Sequence, residues 1–267
     1  MSILWHNGAF KPADKAVFTA GDRLRLGDGV FDTMLAVDGR LIRPSEHFAR
    51  LLAHAKLLKI KAITNFKTLE EAAQELLDRN NFKTGRFAIN TVISRGPGAR
   101  GLAIAETPDT QIVMNASPLP AEFPSVQAII AKSVRRNEGS PLSRIKSCNY
   151  GDNILAMMEA TAQGANEAIL LNNRGNAACA SAGNIFIVQD GRLFTPPLSE
   201  GAMDGIIRKI LIEDHGASEK IITQDDLQSA QGLYITNSIR GAAAVVMLDG
   251  RTLPPPALNI PKDFHLK

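Results

Sequence analysis

Cysteine is scarce in this chain, with only Cys148 and Cys179 among 267 residues. Neither has C-x-x-C spacing, which argues against a zinc site or a disulfide framework, and no metal is expected. Long apolar runs are missing: none approaches the ~20 residues needed to span a bilayer, so no membrane partner is expected. The opening residues Ser2-Ile3-Leu4-Trp5-His6 carry no basic stretch ahead of an apolar core, and the expectation is a cytoplasmic protein without a signal peptide. An excess of one charge sign is missing as well. The formal net charge of +3 is near balance and the basic residues are scattered, apart from short pairs such as Arg135-Arg136, so nucleic acid is not an expected partner. There are no internal repeats and no low-complexity tracts.

Hydrophobic residues make up 45% of the chain, enough for a sizeable core and too many for disorder. Helix and strand signals alternate. Residues 45–59 place Phe48, Leu51, Leu52, Ala55 and Leu58 on one helical face. Thr68-Leu69-Glu70-Glu71 reads as a capping box opening a second helix with Leu69, Ala72, Ala73, Leu76 and Leu77 inward. Strands are expected over 87–93 and 111–116. Pro118, Pro120 and Pro124 then mark a linker at 119–125, dividing an N-terminal domain (1–118) from a C-terminal one (126–267). Beyond it come a strand at 128–131, a helix capped by Asp152, strands at 167–171 and 184–188, a helix from about Asp204 to Glu213, and strands near 233–236 and 243–248. The order fits two α/β domains.

The chemistry concentrates between Arg144 and Arg208. Lys146 leads an apolar helix; a lysine in a partly apolar pocket can lose its proton, attack an aldehyde and form an imine. Taken alone, a lysine is far more often a solvated surface group. Its company changes the odds. Gly201-Ala202-Met203-Asp204-Gly205-Ile206-Ile207-Arg208 enters an amphipathic helix, and the free N–H groups of Ile206 and Ile207 suit a phosphate, although an ordinary cap by Asp204 reads equally well. Arg50, on the first helix, suits a phosphate dianion. Arg95-Gly96-Pro97-Gly98-Ala99-Arg100-Gly101 is a shaped loop with two cations that suits a carboxylate, or is a mere turn.

Together these segments resemble the class IV aminotransferases, the fold-type IV pyridoxal 5′-phosphate (PLP) enzymes, which include branched-chain and D-amino acid aminotransferases and aminodeoxychorismate lyase. Gly27-Asp28-Gly29-Val30-Phe31-Asp32 matches the G-D-G-[VC]-[FY]-[DE] run, His47 to Leu51 the H-x-x-R-L, and Ser94 to Gly101 the S-R-G-x-G-x-R-G loop. Lys146 to Ala156 looks like K-x-x-N-Y-x-x-N-x-x-A, Gly164 to Leu170 like G-A-x-E-A-x-L, Asn184 to Val188 like N-x-F-x-V, and Thr195-Pro196-Pro197 and Gly205 to Arg208 like T-P-P and G-I-x-R. The resemblance spans nearly the whole chain. It implies a two-domain α/β (α+β) fold, a small two-layer α/β domain followed by a pseudo-barrel, usually assembled as a homodimer. It implies PLP on Lys146, its phosphate held by Arg50, Ile206, Ile207 and Ser238, its ring near Tyr150, Cys179 and Ser181, and a substrate pocket bordered by Phe31, Arg95 and Arg100. The implied substrate is an amino acid or related primary amine.

One departure stands inside the match. Where the family loop reads G-x-V-x-E-[GC]-[SC]-x-x-N, residues 175–184 read G-N-A-A-C-A-S-A-G-N, so Cys179 takes the place of the glutamate that pairs with the pyridine nitrogen. That charge-assisted hydrogen bond contributes on the order of 1.5–3 kcal/mol, and its loss slows carbanion formation by one or two decades. Three readings follow, in order: an aminotransferase with a weaker electron sink; a 4-amino-4-deoxychorismate lyase, where aromatisation supplies driving force; and a PLP-binding homologue without efficient turnover.

Overall fold

The computed structural model describes residues 2–256, 258, 260–261 and 264–266. The chain forms two compact units, Met1–Glu122 with Lys146–Asn149, and Phe123–Ile145 with Tyr150–Lys267. No helix among the described residues is long and apolar enough to cross a membrane.

The first unit contains β1 (Ile3–His6), β2 (Ala9–Pro12), β3 (Gly29–Val37), β4 (Arg40–Leu41), α1 (Pro44–Leu57), α2 (Phe66–Arg79), β5 (Arg86–Ser94) and β6 (Gln111–Pro118). The strands form an antiparallel sheet ordered β2-β1-β6-β5-β3-β4. Side chains alternate across a strand, so Val30, Met34 and Ala36 of β3 share one face. They join Ile89 and Ile93 of β5 and Met114 of β6 in a core closed by Phe48, Leu51 and Ala55 of α1 and by Leu69, Ala73, Leu76 and Leu77 of α2. The same alternation sends Asp32 toward the helices and Phe31 to the opposite face.

α2 starts earlier than the capping-box reading expected. Asn65 is its N-cap and accepts the Thr68 N–H at 3.0 Å. The Thr68 hydroxyl also donates to Asn65 Oδ1, so Thr68 serves the cap instead of being it.

The second unit contains β7 (Val126–Ile130), α3 (Gly151–Ala162), β8 (Glu167–Leu171), β9 (Ala177–Ala180), β10 (Asn184–Gln189), β11 (Arg192–Thr195), α4 (Ile206–Glu213), β12 (Ser218–Glu219), α5 (Gln224–Ser229), β13 (Gly232–Asn237), β14 (Gly241–Leu248) and β15 (Arg251–Thr252). The sheet runs β12-β11-β10-β13-β14-β7-β8-β9, with β15 on β14. β9 turns back toward β10, since the Ala180 N–H donates to Gly183 C=O at 2.9 Å, so the sheet curls on itself as a pseudo-barrel does. β8 is buried along its whole length, as the apolar run Ala168–Leu171 dictates, with the buried Glu167 carboxylate accepting from Ser181.

Two expected caps are absent. Tyr150, not Asp152, occupies the N-cap of α3 without a side-chain cap, and Asp152 falls in the first turn, where a carboxylate still complements the dipole. Gly205 is the N-cap of α4, leaving Asp204 outside to pair with Arg208 Nη1 at 3.5 Å.

Candidate active site

In the first unit, the Lys146 segment lies as a short extra strand along the start of β3. The Phe31 N–H donates to Lys146 C=O and the Cys148 N–H to Gly29 C=O, both at 2.9 Å, and Val30 bridges Ser147. Gly29 permits this approach: a Cβ there would stand 2.8 Å from Ile93 O and 3.3 Å from Cys148 Sγ. Lys146 Nζ stands over the Phe31 ring, 4.2 Å from its centre, in cation–π geometry. Lys146 also donates its own backbone N–H to His54 Nδ1 at 3.1 Å. Burial pushes the neighbouring Cys148 thiol up to about 11, against the pull of Lys146, so that thiol stays protonated at neutral pH.

Beneath Phe31, on the helix side of β3, Asp32 accepts from His47 Nδ1 at 2.7 Å and from Arg50 Nε and Nη2, both at 2.8 Å. Burial opposes the Asp32 charge, but the Arg50 guanidinium and the His47 hydrogen bond hold its carboxyl far below the usual range. Burial likewise holds His47 below its ordinary value in spite of Asp32, so His47 is the neutral donor of the pair. His47, Arg50 and His54 are spaced i, i+3 and i+7 and lie along one face of α1.

The two arginines of the Ser94–Gly101 loop differ. Arg95 is buried and engaged inside the fold: Nε and Nη2 on Asp28, Nη2 also on Leu58 C=O, and Nη1 on Lys59 C=O. Arg23 adds a third grip on Asp28 and donates to the carbonyls of Gly101, Leu102 and Ala103. Desolvation works against the Asp28 charge, but Arg95 and Arg23 hold its carboxyl below its ordinary value. Arg95 therefore braces the loop from inside, while Arg100 is exposed at its tip.

In the second unit, α4 opens with Ile206 and Ile207, whose N–H groups fall in the first turn, where no helical carbonyl precedes them. Gly205 lies so close to Asn184 that a Cβ would stand 2.1 Å from Asn184 Oδ1, and Asn184 Nδ2 donates to Met203 C=O at 2.8 Å. Asn184 faces Thr236 across the β10–β13 ladder, on the same side of the sheet. Thr236 is 1% exposed and its hydroxyl has no partner among the described residues. Ser238 lies two residues on, half-buried in the turn after β13. A buried orphan hydroxyl beside a helix N-terminus with free N–H groups and a close-approach glycine is a fit for a phosphate.

Cys179 lies on β9 opposite Leu170. Burial pushes its thiol up and Glu167 adds to the rise, outweighing the pull of Arg136, so the group is neutral at physiological pH. Ser181 is buried, and its hydroxyl and N–H both donate to Glu167 Oε1. Tyr150 is half-buried at the start of α3. Among the described residues no three His, Cys, Asp or Glu side chains gather as a metal site would. Asp32, His54 and Thr236 were missed as site residues. For Asp32 and Thr236 the signal was the period-2 alternation that sets them on the faces of Met34 and Tyr234; for His54 only the i+7 spacing from His47 was available.

The sequence matches the amino-transferase class IV family over residues 29–248. A Methanocaldococcus jannaschii protein assigned provisionally as a branched-chain-amino-acid aminotransferase is 33% identical over 261 residues, covering 94% of this chain and 89% of that protein. Among solved structures, the branched-chain aminotransferase of the thermophilic archaeon Thermoproteus uzoniensis, determined with norvaline, superposes with a TM-score of 0.88 at 28% identity, covering 95% of this chain and 89% of the other. A Legionella pneumophila protein assigned provisionally as 4-amino-4-deoxychorismate lyase gives a TM-score of 0.84 at 27% identity, covering 91% of each chain.

Proposed function

The chain belongs to the amino-transferase class IV family, and from that premise we propose that it transfers the amino group of an amino acid by way of PLP held on Lys146. Class IV aminotransferases use PLP. The observation that carries the assignment to Lys146 is its placement: its carbonyl is tied to β3, its backbone N–H to α1, and its amine rests over the Phe31 ring. Bound PLP supplies an aldehyde for the lysine and a ring that accepts electrons from the substrate Cα. The Lys146 amine would serve as the base that moves the Cα proton. Ile206, Ile207 and Thr236 would hold the phosphate, with Arg50 and Ser238 as further donors. Phe31 borders the substrate, Arg100 receives its carboxylate, and Tyr150, Cys179 and Ser181 line the ring.

The neutral Cys179 thiol favours a second reading. A lyase that gains driving force from aromatisation of its product asks less of the ring nitrogen than a transaminase does, and the likeness to the Legionella protein agrees. Assembly as a cytoplasmic homodimer belongs to either reading. The exposed apolar Ile154, Leu155 and Met158 of α3 support assembly, and sedimentation of the purified protein checks it.

The test is borohydride reduction of the PLP-loaded protein followed by peptide mass spectrometry, then turnover with L- and D-amino acids and a 2-oxo acid acceptor. The expected result is the phosphopyridoxyl label on Lys146 and amino transfer that falls at least about 10²-fold in Lys146→Ala. A protein that takes no label overturns the cofactor assignment. Pyruvate and aminobenzoate released from aminodeoxychorismate, without transfer, establish the lyase instead.

A further inference from the structure

We infer that His54 is a positioning residue that fixes the backbone of the reactive lysine, a role resting on the proposed reading of Lys146. A strand laid along the edge of another is held on one side only. The Lys146 segment uses its carbonyl and the Cys148 N–H for β3, and in a regular antiparallel ladder the Lys146 N–H would face β3 as well, beside its carbonyl. That N–H finds an imidazole and not a backbone carbonyl: His54 Nδ1, 3.1 Å away, on the last turn of α1. A backbone N–H can only donate, so Nδ1 is the acceptor and the His54 proton resides on Nε2.

The arrangement makes one face of α1 a ruler for the site. His47 and Arg50 lock Asp32, next to Phe31, and His54 locks Lys146, whose amine rests over the Phe31 ring. Lys146 is thus clamped between a helix and a strand that are themselves joined one turn away. His54 is 8% exposed, so water does not readily replace its ring nitrogen. A lysine that must act first as nucleophile and then as base needs its Cα fixed to a fraction of an ångström; a looser backbone lowers the fraction of time the amine spends in reach.

The experiment compares His54→Asn, whose Oδ1 reproduces an acceptor near the position of Nδ1, with His54→Leu, which keeps bulk and loses the acceptor. Both are made in the PLP-loaded protein. Two readouts are taken: hydrogen exchange of the peptide carrying the Lys146 amide, and kcat and KM for the best amino donor. In His54→Leu the Lys146 amide is expected to exchange about 3- to 10-fold faster and kcat to fall by a similar factor, the worth of one hydrogen bond, with KM within about 2-fold of the parent. His54→Asn is expected to restore both. Unchanged exchange and kcat in His54→Leu, or equal losses in the two variants, overturns the inference. Failure of borohydride to label Lys146 in the parent overturns the functional reading separately, since the exchange arm does not depend on it.

Discussion

Replacing Thr236 by valine should move stability and cofactor affinity in opposite directions. The two side chains have nearly the same shape, so the change deletes a hydroxyl without opening a cavity. Thr236 is 1% exposed and its hydroxyl is unpartnered among the described residues. A buried polar group left unpaired costs about 1–3 kcal/mol, so the valine variant should unfold at higher urea, gaining up to that amount. On the proposed placement of the PLP phosphate at α4, the hydroxyl would gain a charged acceptor, and a hydrogen bond to a charged group contributes about 1.5–3 kcal/mol. Its loss should weaken PLP binding by about 10- to 150-fold. Urea denaturation of the cofactor-free protein, followed by titration with PLP monitored by absorbance, gives both numbers from one preparation. A variant that is less stable without cofactor means the hydroxyl has a partner, and an unchanged PLP affinity means the phosphate is not at α4.

Cys179→Glu should speed removal of the Cα proton by about ten- to a hundredfold, with Arg136 available to favour the new charge; single-turnover kinetics with an α-deuterated donor reads it, and an unchanged rate means another residue holds the ring nitrogen. Asp32 and His47 both bind protons less readily when folded than when unfolded, so acid favours unfolding. Stability should fall as pH drops below about 6.5, where the unfolded histidine takes a proton that His47 refuses, and again below about 4 through Asp32, each by at most about 1.4 kcal/mol per pH unit. His47→Gln should flatten the first limb in urea unfolding between pH 7 and 5; an unaltered slope would assign it elsewhere. Asn65→Ala should cost about 1 kcal/mol by uncapping α2, visible in the same unfolding assay.

Local patterns were legible and distant pairings were not. The apolar spacing of Phe48, Leu51 and Ala55 announced the buried face of α1, and the apolar residues 168–171 marked β8, expected at 167–171, because both signals are set by the period of the element itself. Caps were less legible, since Asn65, Thr68, Asp152 and Asp204 all carry a suitable side chain and position decides among them. Lys146 was singled out by its neighbours in sequence. Its attachment to β3 was not, because the Phe31–Lys146 hydrogen bond joins residues 115 apart, and no local periodicity encodes it. Arg95 misled for a similar reason: its partner Asp28 and the carbonyls of Leu58 and Lys59 lie far away in sequence, so a cation on a glycine loop looked available when it was engaged.

The extra strand at Lys146–Asn149 also governs the order in which this chain can be completed during synthesis. The first 122 residues contain every other strand of the first sheet, so that sheet can close on the ribosome while the edge of β3 beside Gly29 and Phe31 still waits. The missing strand emerges only after Phe123–Ile145, a stretch that belongs to the other unit. Lys146 and the finished sheet therefore arrive together, and a nascent chain stopped short of residue 146 carries an open strand edge, an invitation to chaperones or to mispairing.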